Sequence, residues 1–178
     1  TLPPHIFFVA DTAYNSAMQT TRDQVCVISG ESGAGKTETT KFVIRHLLYL
    51  CGGGEADLGK KINDLNPVLE AFGNAATVMN HNSSRFGKFL ELKFNARGTV
   101  SGGLLSDYLL ERSRVVHQGS RERNFHVFYY LCEGADQARR AALRLGPHTN
   151  FRYLAFNPDP QDANRCVARW QELEQAMC

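Results

Sequence analysis

The sequence predicts an α/β fold, a twisted sheet with helices packed on both faces, from three observations. Residues 30–37 fit the pattern G-x-x-x-x-G-K-[ST] at every constrained position. The apolar and mostly β-branched run Val25-Cys26-Val27-Ile28 comes just before it, as is typical of a buried parallel strand. Apolar residues then recur at helical spacing from Lys36 to Leu50. This order of strand, glycine-rich loop and helix predicts a phosphate-loop NTPase fold, with Val25 to Ser29 as a central strand.

Composition limits the class of protein. The chain has 178 residues and 43% hydrophobic content, which fits one globular domain with a sizeable core. The formal net charge is only +2, and acidic and basic residues are interspersed, so we expect no bulk attraction to nucleic acid or membrane surfaces. No apolar run approaches the roughly 18 residues of a membrane span. The five cysteines form no C-x-x-C pair, which favours a reducing, cytoplasmic setting.

Further elements are predicted before and after the loop. The apolar stripe from Ile6 to Met18, with Pro3-Pro4 at its start, predicts a packing helix. Glycine-rich residues 51–57 predict an exposed, mobile connector, which we interpret as a plain linker rather than a gate. Residues 60–73 predict a helix in which Pro67 begins a second segment.

Period-two alternation from Phe89 to Phe94 predicts a half-buried strand, and after a turn Val100 to Leu110 predicts its antiparallel partner. Residues 121–134 predict a helix with an aromatic buried side, in which His126 is interpreted as a hydrogen-bonded core histidine rather than a catalyst. Helices over 135–145 and around 167–177 are separated by an aromatic stretch, 151–156, and a proline-rich loop, 157–160. The start without methionine and the uncapped last helix lead us to expect truncation at both ends.

The glycine-rich loop predicts a polyphosphate site. Its glycines allow the backbone to wrap closely round phosphates, and the first N–H groups of the helix point towards them. The Lys36 ammonium can reach the β- and γ-phosphates, and the Thr37 hydroxyl can bind Mg²⁺. A flexible Gly/Ser turn is the disfavoured alternative. The predicted binding residues are Gly30, Glu31, Ser32, Gly33, Ala34, Gly35, Lys36 and Thr37.

A second polar cluster, residues 80–88, reads Asn-His-Asn-Ser-Ser-Arg-Phe-Gly-Lys and stands directly before the predicted strand at Phe89. Hydrolysis of a nucleoside triphosphate needs groups that complete Mg²⁺ coordination, hold the γ-phosphate and position water. Hydroxyl, amide and guanidinium groups can do these jobs. The cluster is therefore the predicted catalytic loop.

At this point the sequence resembles a known family. GESGAGKTETTK from Gly30, together with NPVLEAFGNAATVMNHNSSRFGKFLEL from Asn66, is similar to the motor domain of myosins, and residues 80–88 match the switch I loop of that family. DYLLERSRVV from Asp107, ERNFHVFYYL from Glu122 and RWQELEQAM from Arg169 are similar to further stretches of it. The resemblance covers nearly the whole chain. It implies a partial motor domain over 1–178, with the phosphate loop at 30–37, loop 1 at 51–59 and switch I at 80–88.

The resemblance also implies roles for single side chains. Lys36 would hold the β- and γ-phosphates and Asn80 would contact the phosphates. Thr37 and Ser84 would ligate Mg²⁺. Ser83 would hydrogen-bond the γ-phosphate or the attacking water.

Arg85 would form the salt bridge that closes the site, but the carboxylate that pairs with it in the family belongs to a D-x-x-G-F-E motif that this sequence does not contain. A surface ion pair at Arg85 and loop-capping hydroxyls at Ser83 and Ser84 are the disfavoured alternatives. Thr39, His117 and Arg121 depart from residues common in the family. These departures suggest an unconventional class.

The implied cofactors are ATP and Mg²⁺, and the implied partner is the actin filament, bound through a full motor. Light chains or calmodulin would bind only through parts that are absent from this sequence. The implied setting is the cytoplasmic actin cytoskeleton, and the implied activity is ATP hydrolysis coupled to movement. The alternative is a nucleotide-binding or interaction module without turnover. A small kinase or GTPase is disfavoured because the sequence shows no N-K-x-D-like base motif.

Overall fold

The computed structural model describes residues 5–52, 56–154 and 162–178. Within these residues the chain mixes helices with two small sheets. The elements in chain order are α1 (Ile6–Thr20), α2 (Lys36–Leu50), α3 (Ala56–Gly73), β1 (Asn74–Ala75), β2 (Ser83–Ser84), β3 (Gly87–Phe94), β4 (Val100–Tyr108), α4 (His126–Tyr129), α5 (Gln137–Ala142) and α6 (Asp162–Met177). A π-helical turn, Tyr130–Gly134, continues α4, and 3₁₀ turns lie at Arg112–Val115 and His148–Asn150.

The chain divides into two compact units, of which the first combines residues 1–63 with residues 89–106. Helix α1 packs against α2, because Ala10 on α1 and Val43 and Ile44 on α2 are buried. The Tyr14 hydroxyl donates a hydrogen bond of 2.9 Å to the carbonyl of Gly98. This bond ties α1 to the turn between β3 and β4, two strands that hydrogen-bond to each other.

The second unit combines residues 64–88 with residues 107–178, and its core lies between α6 and the π-helical turn. Two clusters of buried side chains meet there. The first consists of Ala71, Ala135, Trp170 and Leu173. The second consists of Tyr129, Cys132, Leu154 and Cys166. The absence of a side chain at Gly134 allows α6 to approach this closely, since a Cβ at that position would collide with the backbone carbonyl of Cys166.

The predicted central strand, Val25 to Ser29, is not formed. Residues 21–30 have no regular secondary structure, and the side chains of Val25 and Val27 are 74% and 83% exposed. A buried parallel strand needs a neighbour for its backbone N–H and C=O groups. Among the described residues, strand pairing joins only β1 with β2 and β3 with β4, so Val25 to Ser29 has no strand to pair with.

The helix predictions are confirmed with changes at the ends. The predicted helix over residues 60–73 begins at Ala56 and runs through Pro67 without a break, although proline costs a helix one hydrogen bond. Ala71, four residues after Pro67, is buried, and Val68 packs against the same cluster. The helix predicted from residue 121 begins only at His126 and ends, as predicted, at Gly134. The helix predicted over 135–145 is shorter and runs from Gln137 to Ala142. It begins there because Asp136 accepts a hydrogen bond from the Arg139 N–H and caps it.

The strand pair is confirmed, with β4 ending at Tyr108 rather than Leu110. The predictions for Pro3-Pro4, for the middle of the connector after Cys51 and for the loop at 157–160 lie outside the described residues, as does the end of the aromatic stretch at 151–156. The last part of the predicted connector is already helical from Ala56. No helix in the described ranges is long and apolar enough to cross a membrane.

We predict that Gly134→Ala destabilises the second unit. The added Cβ would lie 2.7 Å from Cβ of Trp170 and even closer to the backbone of Cys166, and overpacking of this kind costs about 1–3 kcal/mol. Urea denaturation followed by circular dichroism measures the free energy of unfolding. Gly102→Ala is the control, because no atom lies within 4 Å of its added Cβ, and an equal loss in both variants would contradict the packing argument.

Candidate nucleotide site

The phosphate loop has a backbone that only glycine adopts easily. Gly33 and Gly35 have φ angles of +83° and +85°, in the left-handed region that residues with a Cβ avoid. The N–H of Ala34 donates to the carbonyl of Glu31 at 3.2 Å, and the N–H of Thr39 donates to Gly35 at 2.9 Å. The loop therefore closes a turn and passes directly into α2, whose positive dipole end and first N–H groups favour an anion.

Lys36 lies at the junction of the loop and α2. Its ammonium donates hydrogen bonds to the carbonyls of Gly30 and Glu31, at 2.8 and 2.7 Å. The positive charge is thus held over the loop that the sequence predicts to wrap phosphates. Thr37 follows on the first turn of α2 and is half-buried.

The second predicted loop is built on a small antiparallel sheet. In its register Asn74 lies opposite Ser84 and Ala75 opposite Ser83. Because neighbouring residues of a strand face opposite sides, Ser83 is buried and Ser84 is exposed. The two hydroxyls therefore point in different directions from the same strand.

The turn before this strand is held by its own polar groups. The Thr77 hydroxyl accepts a hydrogen bond from the N–H of Asn80 at 3.2 Å, and Asn80 Oδ1 accepts from the N–H of Asn82 at 2.9 Å. Asn74, which is 1% exposed, donates to Asn82 Oδ1 at 2.9 Å. The Asn80 side chain is thus fixed within the loop that the resemblance implies.

His126 contacts this loop, which sequence reasoning missed. One imidazole nitrogen, Nε2, lies 3.2 Å from Oδ1 of Asn82, and the ring stacks on Tyr130 with centroids 5.6 Å apart. The prediction of a hydrogen-bonded histidine is confirmed, but the residue is half-buried rather than in the core. No sequence signal links positions 44 residues apart, so only the fold reveals the contact.

Arg85 has a carboxylate partner that the sequence analysis did not find. Its Nε donates to Oε2 of Glu111 at 2.6 Å, and its Nη1 donates to the Ser83 hydroxyl at 3.2 Å. The N–H of Glu111 also donates to the carbonyl of Arg85 at 3.0 Å. The sequence signal for this pair is slight: Glu111 is an acidic residue in the DYLLERSRVV stretch, which indicated only the family resemblance.

Glu111 also binds Arg114, a buried guanidinium that is 3% exposed. Arg114 Nε donates to Glu111 Oε2 at 2.8 Å, and Arg114 Nη2 donates to Glu122 at 2.9 Å. Burial raises the pKa of the Glu111 carboxyl, but the hydrogen bonds and positive charges of Arg114 and Arg85 outweigh burial and hold the pKa below its usual value. The carboxylate is therefore ionised at neutral pH.

The two loops belong to different units. Lys36 and Thr37 lie in the first unit, and Asn80, Ser83 and Ser84 lie in the second. Each loop is held by hydrogen bonds within itself, while a Mg²⁺ site shared between Thr37 and Ser84 stays a prediction. The donor chemistry fits Mg²⁺, which takes oxygen ligands and retains several waters, so one or two protein oxygens with the phosphates suffice.

Comparison with known proteins identifies the family. The sequence model described as Myosin head (motor domain) matches residues 1–177. The chain belongs to the myosin head family. It is 53% identical over 154 residues to unconventional myosin-VI of Bos taurus, of Mus musculus and of Homo sapiens. These matches cover 86% of the chain and 12% of each relative.

The resemblance to myosin motor domains is thus confirmed, and the names of these relatives agree with the expected unconventional class. Since the chain spans only 12% of the length of these relatives, activity and partners of a whole myosin do not pass to it directly. The roles of the single myosin-like residues stay predictions.

We predict a pH-dependent contribution of Glu111 to stability in this myosin head chain. Because its folded-state pKa is lowered, the ion pairs stabilise the fold fully above the usual glutamate pKa of about 4.3. The stabilisation is lost as pH falls through the lower folded-state pKa.

The measurement is the free energy of unfolding of the wild type and of Glu111→Gln between neutral pH and the onset of acid unfolding. The difference between the two proteins should be largest at neutral pH and should shrink below about pH 4.3. A difference that stays constant or grows on acidification would contradict the assigned ion pairs.

Proposed function

We propose that this chain is the ATP- and Mg²⁺-binding part of an actin-based motor, in which ATP hydrolysis is coupled to movement on actin filaments. The observation that supports it most directly is the Lys36 ammonium, held over a glycine loop that opens directly into α2. Membership of the myosin head family supports the proposed motor activity and the proposed cytoskeletal setting.

The phosphate loop contributes charge and shape. Gly33 and Gly35 leave open space where a Cβ would lie, since no atom stands within 4 Å of that position. Phosphate oxygens can therefore approach the backbone N–H groups closely. Lys36 would exchange its two carbonyl acceptors for β- and γ-phosphate oxygens, which form stronger, charge-assisted hydrogen bonds.

Switch I contributes the groups for the γ-phosphate. The buried Ser83 hydroxyl would hydrogen-bond the γ-phosphate or the attacking water, and Asn80 would contact the phosphates. Ser84, exposed on the other face of β2, would bind Mg²⁺ together with Thr37. Held by these hydroxyls, Mg²⁺ would supply positive charge that offsets the charge of the phosphates.

The complete motor requires more than these residues. We propose that Val25 to Ser29 is a strand of the larger twisted sheet when neighbouring strands are present, because its exposed valines match a segment buried on both faces. Actin filaments, and light chains or calmodulin, would bind through parts of the motor outside this sequence. The cytoplasmic actin cytoskeleton is the proposed setting.

A binding module without turnover is the second candidate. Arg85 already has a carboxylate partner in Glu111, and the sequence contains no D-x-x-G-F-E motif. A site that lacks transition-state contacts retains binding but loses on the order of 10²-fold or more in rate for each contact. The two candidates therefore differ in hydrolysis and agree in binding.

We predict that Lys36→Ala weakens binding of a fluorescent ATP analogue by about 10- to 100-fold in the presence of Mg²⁺. A hydrogen bond to a charged group contributes about 1.5–3 kcal/mol, and 1.4 kcal/mol is a factor of ten. Fluorescence anisotropy titration of the 178-residue chain, with and without Mg²⁺, measures the affinity.

Lys41→Ala is the matched control. Lys41 lies on the same helix five residues after Lys36 and pairs with Glu38 at 2.9 Å, so its removal should leave the affinity unchanged. Equal loss in both variants would show that general positive charge, and not the phosphate loop, binds the analogue.

Phosphate release separates the two candidate functions. For the motor we expect Mg²⁺-dependent release by the chain that rises when actin filaments are added and is abolished by Lys36→Ala. Tight binding with no release above the Lys36→Ala background, with or without actin, would assign the chain to the binding module.

A further inference from the structure

Glu111 is the shared acceptor of two arginines. Its Oε2 atom accepts hydrogen bonds from Nε of Arg85 at 2.6 Å and from Nε of Arg114 at 2.8 Å. The side chain of Arg114 is 3% exposed, whereas those of Arg85 and Glu111 are 31% and 33% exposed. One end of the network is therefore anchored inside the second unit, and the other end reaches the surface at switch I.

The anchored end is fixed by several acceptors. Arg114 donates from Nη2 to Glu122 at 2.9 Å and from Nη1 to the carbonyl of Arg123 at 3.0 Å. A buried guanidinium needs such partners, because its desolvation costs several kcal/mol unless it is paired and hydrogen-bonded. Glu111 therefore has little freedom to move.

At the switch I end, the network reaches the hydroxyl of Ser83 through Arg85. Two hydrogen bonds hold the Arg85 backbone. Its N–H donates to the carbonyl of Gly73 at 2.8 Å, and the carbonyl of Arg85 accepts from the N–H of Glu111 at 3.0 Å. Its guanidinium then donates from Nη1 to Oγ of Ser83 at 3.2 Å. A planar guanidinium can bond Glu111 through one edge and Ser83 through another, which a lysine cannot do with fixed geometry.

We propose that Glu111 is a positioning residue for the γ-phosphate: it orients Arg85, and Arg85 places the Ser83 hydroxyl that distinguishes ATP from ADP. This inference rests on the proposed function, because it takes Ser83 as the γ-phosphate contact. Glu111 itself does not touch the nucleotide. The carboxylate that pairs with Arg85 is therefore that of Glu111, three residues after the end of β4.

The test compares affinities for Mg·ATP and Mg·ADP, since ADP lacks the group that Ser83 contacts. Ser83→Ala, Glu111→Gln and Arg85→Lys should each lower the preference for ATP about tenfold, the effect of one hydrogen bond to a charged group. Affinity for ADP should stay within about twofold, because it depends on the phosphate loop. A purely structural loss would weaken both nucleotides together.

Glu133→Gln is the matched control. It removes a carboxylate of the same unit from a different pair, with Nδ1 of His148 at 2.7 Å, and should leave the preference for ATP unchanged. Combining Glu111→Gln with Ser83→Ala should lower the preference no further than either change alone. Additive losses, or a full preference for ATP in Glu111→Gln, would overturn the proposal.

Two further measurements keep the outcome decisive. Should Glu111→Gln fail to fold because Arg114 loses a partner, Arg85→Lys decides, since it leaves Glu111 with Arg114, and a retained preference for ATP would overturn the proposal. Without nucleotide, amide hydrogen exchange of residues 83–85 should accelerate in Glu111→Gln and not in Glu133→Gln. Failure of the wild type to bind either nucleotide would refute the proposed function, and unchanged exchange would refute the positioning role independently.

Discussion

The second unit depends on a buried positive charge. Arg114 is 3% exposed, and removing a guanidinium from water is unfavourable unless acceptors surround it. Glu111, Glu122 and the carbonyl of Arg123 supply those acceptors. The hydrogen bonds to Arg114 thus bring Glu111, which follows β4, close to Glu122 and Arg123, which precede α4.

The predicted switch I loop, residues 80–88, is tied to these residues. Arg85 shares the Glu111 carboxylate with Arg114, while β1 is paired on one side with β2 and on the other through a bridge between Ala75 and Phe125. The loop 80–88 thus has a rigid base formed from three distant parts of the sequence. Such a base would suit the proposed role of the loop, because small displacements at a reacting group cost much in rate.

The phosphate loop follows a different principle. Its shape depends on local sequence, since left-handed glycines and the start of α2 lie within a few residues of each other. This explains why the pattern at residues 30–37 could be recognised from sequence and why α2 begins and ends where the apolar period predicted. The strand expected just before it failed for the opposite reason. Val25 to Ser29 has the right residues, but a strand also needs a partner, and no described residue provides one.

The sequence by itself determined the helices α1 and α2, the paired strands β3 and β4, the glycine loop and the family, because each depends on periodicity or on contiguous motifs. Only the tertiary structure decided that His126 meets Asn82 and that Glu111 pairs with Arg85. These partners are separated by 44 and 26 positions. A hydrogen bond depends on distance in space, and the distance between residues from separate elements is set by how those elements pack.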